Sequence, residues 1–144
     1  MRERYHNTIV EGVARLIVPF VQLFALYVIS HGHYGPGGGF QGGVILAAAS
    51  MLLRLTLGEE EEHRFFSPKT ASVLASIGIL IYFGAGLLPL FFGGAFLDYA
   101  KLPIPGMDGA DLRALGILIV EFGVGLVVWG TLVIIFDYLI GNEA

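Results

Sequence analysis

Residues 112–139 read LRALGILIVEFGVGLVVWGTLVIIFDYL, and the fold turns on this stretch. It is apolar around its whole circumference, interrupted only by Arg113 at the start, Glu121 inside and Asp137 near the end. A helix rises about 1.5 Å per residue and the hydrocarbon core of a bilayer is about 30 Å thick, so about 20 such residues cross it. A helix apolar on every side belongs in lipid or among other helices. The other spanning structure, a closed β-barrel, requires strict alternation of apolar and polar side chains, which is absent.

Three more segments qualify: about 13–30, 40–57 and 70–92. The expectation is an all-α integral membrane protein, residues 1–144 forming one transmembrane domain of four helices. Composition agrees, with 56% hydrophobic and 14% charged residues against about 25% charged in a typical soluble domain. Mean hydropathy is +0.77. The chain has no cysteine, which excludes a disulfide framework and a cysteine metal site. A net charge of −4 offers no basic footprint to a nucleic acid. The N-terminus does not read as a cleavable signal, because Glu3 and Glu11 interrupt its positive character and the apolar run after Arg15 is too long.

Punctuation between the segments is clear. The first connection, HGHYGPGGGFQ at 31–41, is dominated by glycine. The second opens with Glu59 to Glu62 and closes with Ser67-Pro68, a cap and a first-turn proline for the third helix. The third carries Leu102-Pro103-Ile104-Pro105-Gly106, an extended piece and a turn, and Asp108 then caps the fourth helix. Arg2, Arg4, Arg15, Arg54, Arg64 and Lys69 fall on the side shared by both termini, and only Lys101 and Arg113 on the other. The excess of basic residues places both termini in the cytoplasm.

Glu121 is the most informative position. A carboxylate about 7 Å from the centre of a membrane helix is costly and must be surrounded by protein or water. Such groups mark proton or cation pathways; the alternative is a structural carboxyl bonded to a neighbouring helix. His31 and His33 flank Gly32 at the end of the first helix and exchange protons near neutral pH, so a relay to Glu121 is open to them, as is a plain interfacial role. Their spacing also suits a metal, but no third ligand lies nearby, and no metal or other cofactor is expected. Asp137 reads as an inner ion site or as solvated interface.

The loop Gly35-Pro36-Gly37-Gly38-Gly39 lacks the ending and the preceding strand of a phosphate-binding loop. Its glycines suit a tight turn or close backbone contact with a neighbouring subunit. Gly42, Gly43 and Ala47, with Ala48 and Ala49, form a small-residue face for close helix packing. Gln22 is placed to hydrogen-bond across a helix interface, and Pro19 to kink the first helix. Arg15 and Arg54 lie near helix ends, where long basic side chains snorkel to water, and Glu11 is spaced to pair with Arg15.

At HGHYGPGGGFQGGVILAAA, residues 31–49, the chain strongly resembles the MnhB/MrpB family, the B-type subunits of Mrp-type multisubunit cation/proton antiporters. The pattern GHxxPGGGFQGG, here Gly32 to Gly43, is specific in combination with four spans. Glu121-Phe-Gly-Val-Gly also looks like the family's last helix. The resemblance implies a small non-catalytic subunit of the cell membrane, assembled with other membrane subunits in a complex that exchanges Na⁺ and H⁺. The same subunit type is reused in membrane-bound hydrogenases and related ferredoxin-linked complexes, which leaves that setting as an alternative. A scaffold without any ion path is a further alternative; a membrane enzyme built on His31 and His33 is disfavoured by the missing third ligand and nucleophile. The family offers no catalytic motif to transfer, so Glu121, the histidines and Asp137 stand on the chemistry of the residues alone.

Overall fold

The computed structural model describes residues 8–57 and 66–141; Arg2, Arg4, Glu59 to Glu62 and Arg64 lie outside them. Four helices account for most of the described chain: α1 (Thr8–Ser30), α2 (Gly39–Leu57), α3 (Pro68–Phe91) and α4 (Gly109–Gly141). Each is long and apolar enough to cross a membrane. A 3₁₀ turn at Tyr99–Lys101 interrupts the connection from α3 to α4.

The helix starts follow from local chemistry. The Ser67 hydroxyl accepts from the Thr70 amide at 3.2 Å and Pro68 occupies the first turn of α3. Ahead of α4, the Asp108 carbonyl accepts from the Leu112 amide at 2.9 Å, and Gly106, at φ 87°, makes the preceding turn. α1 begins before the apolar run proper, its first turns carrying the Glu11–Arg15 pair at 2.9 Å. Pro19 lies inside α1 without ending it.

The helices stand in a row rather than a square. α4 is the hub, with α3 packed along one side and α2 along the other, and α1 lies on the far side of α2. Small residues let the backbones close. A Cβ on Gly78 of α3 would stand 2.8 Å from Val127 of α4, and one on Gly123 3.0 Å from the Gly78 carbonyl. Gly130 is pressed in the same way against the Ala71 carbonyl. Two small cores result, one around Ala47, Phe66, Ala71 and Val133, the other around Ala25, Ile29 and Leu46. Trp129 borders both, its ring stacked on Phe66 at 4.6 Å and its Nε1 donating to Ser50 Oγ at 3.0 Å. The outward faces of α1 and α3 expose large apolar side chains, Leu16, Phe20, Leu80 and Phe91 among them, as helices facing lipid or other subunits must.

Candidate functional site

α1 and α2 are joined by the glycine-rich loop, and the loop folds back onto α4 at Glu121. The first N–H groups of a helix have no partner within it, and the aligned peptide dipoles make that end positive. At α2 the unmet need is filled from 82 positions away: the Gly39 amide donates to Glu121 Oε2. Glycines form the walls of the carboxylate. A Cβ on Gly38 would stand 2.7 Å from Oε1 and 2.8 Å from Cδ, and one on Gly32 3.0 Å from Cδ. A Cβ on Gly39 would collide with the backbone carbonyl of Glu121 itself. Gly37 and Gly38 have φ of 147° and 134°, which side chains other than hydrogen rarely tolerate. The loop is therefore glycine-rich where it meets its own α4, not only where it might meet a neighbour.

His31 and His33 sit on either side of the Gly32 wall. The His31 ring is exposed and stacks on Tyr27 at 4.5 Å, with Tyr34 6.1 Å away. His33 is half-buried against Tyr34 at 3.9 Å, and its Nδ1 is buried with no hydrogen-bond partner. Among the described residues no third His, Asp or Glu joins them as a metal site. Gly35 and Pro36 form the exposed tip, and a Cβ on Gly35 would meet nothing within 4 Å.

Below the loop, Gly42 rests on Ile29 and the Ala25 carbonyl of α1, and Gly43 on the Gly125 carbonyl and Val128 of α4. Ala47 is buried between α2 and α4, whereas Ala48 is exposed, because one residue further turns the side chain about 100° away from the contact. Gln22 is half-buried midway along α1 and makes no side-chain hydrogen bond among the described residues.

The far end of the bundle differs from the expectation of a snorkelling Arg54 and a solvated Asp137. Arg54 is 4% exposed; its Nε lies 3.1 Å from Asp137 Oδ1 and its Nη2 donates to the Phe66 carbonyl at 2.9 Å. The reason is the return of the chain: Phe66 and the start of α3 close over the end of α2, and an enclosed guanidinium requires a counter-charge. The pair ties α2 to α4, and the bond to Phe66 ties both to the start of α3. Sequence reasoning also passed over Tyr99 and Tyr82 beside α4. Its one available signal was Gly116, since a glycine in a spanning helix marks a place where something large comes close.

Comparison with known proteins agrees with this architecture. A family model described as a domain related to the MnhB subunit of Na⁺/H⁺ antiporter matches residues 9–134. The chain belongs to the MnhB family. Proteins of Staphylococcus aureus strains Newman and COL, assigned as antiporter subunit mnhB2, are each 31% identical over 143 residues, covering 96% of this chain and 98% of theirs. With its four apolar helices, this MnhB-family chain is a multi-pass membrane protein.

Proposed function

We propose that this MnhB-family chain is a non-catalytic subunit of a multisubunit Na⁺/H⁺ antiporter of the cell membrane, seated among other membrane subunits with both termini in the cytoplasm. Its first task is to hold a fixed helix arrangement, in which the Glu121 carboxylate locks the start of α2 onto α4. The observation that supports this is the Gly39 amide on Glu121 Oε2 inside walls of Gly32 and Gly38. Charge-assisted hydrogen bonds of this kind are about twice as strong as neutral ones. The exposed faces of α1 and α3 supply the surfaces for other subunits and lipid.

A second reading adds a proton-exchanging role for Glu121. The buried Nδ1 of His33 favours it, because this polar ring atom has no hydrogen-bond partner and sits one residue from the carboxylate's wall. Glu121→Gln separates the two readings in inverted vesicles containing the complete complex. An oxygen remains to accept from Gly39, so assembly on a native gel should hold. Sodium-dependent proton exchange should fall under the second reading and persist under the first alone. Loss of the complex together with preserved exchange per assembled complex would leave the lock as the whole role.

A further inference from the structure

Glycines close the seam between α3 and α4 at Gly78, Gly123 and Gly130, and beside that seam the two helices leave a groove. Its wall on α3 is the stripe Lys69, Ser72, Ser76, Ile79 and Phe83, all exposed and spaced three or four residues apart, so that they share one face. Its wall on α4 is Tyr138, Ile134, Thr131, Val127 and Val124, on the same spacing run in reverse. At the end near the start of α3 the groove opens into a cleft of about 370 Å³, lined by Pro68, Lys69, Ser72, Ile134, Asp137 and Tyr138. Farther along it forms an apolar hollow of about 190 Å³, between Ile79, Tyr82 and Phe83 on one helix and Val124, Val127 and Val128 on the other. Ser76 and Thr131 stand between the two. By helical rise, Tyr138 and Val124 lie about 21 Å apart along α4.

We propose that this groove holds one anionic phospholipid of the leaflet beside the start of α3. Its phosphate lies at Lys69 and the Tyr138 hydroxyl, its glycerol esters beside Ser76 and Thr131, and an acyl chain over Ile79, Phe83 and Val124. Length fits, because one leaflet with its headgroups is about 20–22 Å deep, half of the full bilayer. Charge fits as well. Asp137 faces the cleft, but its Oδ1 lies 3.1 Å from Arg54 Nε, so that pair is neutral together. Among the described residues the cleft therefore keeps the positive charge of Lys69. The order of polarity along the groove is that of a lipid, with a cation and a phenol at headgroup level and bare hydrocarbon below. A transmembrane helix of another subunit suits it less. Close helix packing calls for small residues, and the exposed Ile79 and Phe83 side chains would hold such a helix off. The site is independent of whether Glu121 exchanges protons.

The probe is phosphatidylglycerol carrying a photoreactive diazirine near the end of one acyl chain, added to the complete complex in mild detergent. After illumination, peptide mass spectrometry should find label at residues 79–83 and 124–128. Lys69→Gln should lower that label about fivefold, the weight of one basic residue at an anionic lipid surface, and Lys69→Arg should keep it. Unlabelled phosphatidylglycerol should also displace the label from wild-type complex about fivefold better than phosphatidylcholine, whose ammonium group offsets its phosphate. This competition needs no variant, so it decides the matter even where Lys69→Gln assembles poorly. A complex labelled elsewhere but not on these two stretches shows that a neighbouring subunit covers the groove, and overturns the proposal. Label that Lys69→Gln leaves unmoved, or that both lipids displace equally, belongs to lipid acting only as solvent and overturns it too.

Discussion

Gly38→Ala places a methyl group against the Glu121 carboxylate and forces alanine into φ of 134°. The backbone strain alone costs about 1–3 kcal/mol. The carboxylate must also move, since the new carbon would stand 2.7 Å from Oε1 and 2.8 Å from Cδ. Its hydrogen bond to the Gly39 amide is then lost, at about 1.5–3 kcal/mol for a bond to a charged group. The two terms together give about 2.5–6 kcal/mol, a drop in melting temperature on the order of 10 °C. The assay is thermal unfolding of the purified complex in mild detergent, with its amount read on a native gel. Glu121→Asp, one methylene shorter, withdraws the carboxylate from the new methyl. The double variant Gly38→Ala/Glu121→Asp should therefore melt higher than the sum of the single losses predicts, by about 1–2 kcal/mol of coupling. Gly39→Ala has no such rescue, because it collides with the Glu121 backbone carbonyl rather than the side chain. A Gly38→Ala complex that melts within a degree or two of wild type would refute the reasoning.

Other consequences are simpler to read. Arg54→Met removes an enclosed positive charge held against Asp137 and should destabilise the complex by about 3–5 kcal/mol, whereas Arg54→Met/Asp137→Leu should restore part of it; detergent melting curves of both variants decide this. Gly130→Leu, driven into the Ala71 carbonyl and Ala75, should separate α3 from α4 and abolish assembly on a native gel, while Gly84→Leu, with nothing within 4 Å, should assemble normally. Ser67→Ala removes the cap of α3 and should cost about 1 kcal/mol in the same melting assay. Because folding raises the Tyr99 hydroxyl, its contribution to stability is complete below the ordinary value of 10.0 and fades as pH rises through the raised one. Melting temperature should thus fall as pH rises from 10.0 through the raised value, less so in Tyr99→Phe.

The four spans were legible because their signal is composition summed over a helix length, which no later contact alters. The helix start at Ser67-Pro68 was legible too, since capping is local, and the last helix begins just after Asp108 as expected, although only the Asp108 backbone carbonyl is seen to bond there. Contacts between distant segments were not. Nothing in the spacing of Arg54 and Asp137 shows that α2 and α4 run parallel with their charged ends level, so the pair read as two separate interfacial charges. One long-range signal was present and unused. Gly116, Gly123 and Gly130 recur every seven residues on α4, and they meet Tyr99, the Gly78 carbonyl and the Ala71 carbonyl in turn. That spacing keeps one seam of a helix facing one neighbour, here α3, whereas Gly125 faces Gly39 and Ile29 on the other side.

Two features that read separately in the sequence, an acid within a spanning helix and a run of glycines in a loop, have one physical cause. Glu121 lies twelve positions into α4 yet level with the first residue of α2, so α4 runs about 18 Å further toward the loop end than α2 does. The start of α2 is buried against α4, where its unbonded amides are shut off from water. A carboxylate from the longer neighbour meets that need, and the same amide and helix dipole offset the cost of placing its charge there. The contact closes only if the approaching backbone carries no side chain, which requires glycine at 32, 38 and 39 together. Acid and glycines therefore stand or fall as one unit. Replacing Glu121 with leucine should remove the need for glycine at 38 without restoring the lock, so that Gly38→Ala becomes milder in the Glu121→Leu background than in the wild type.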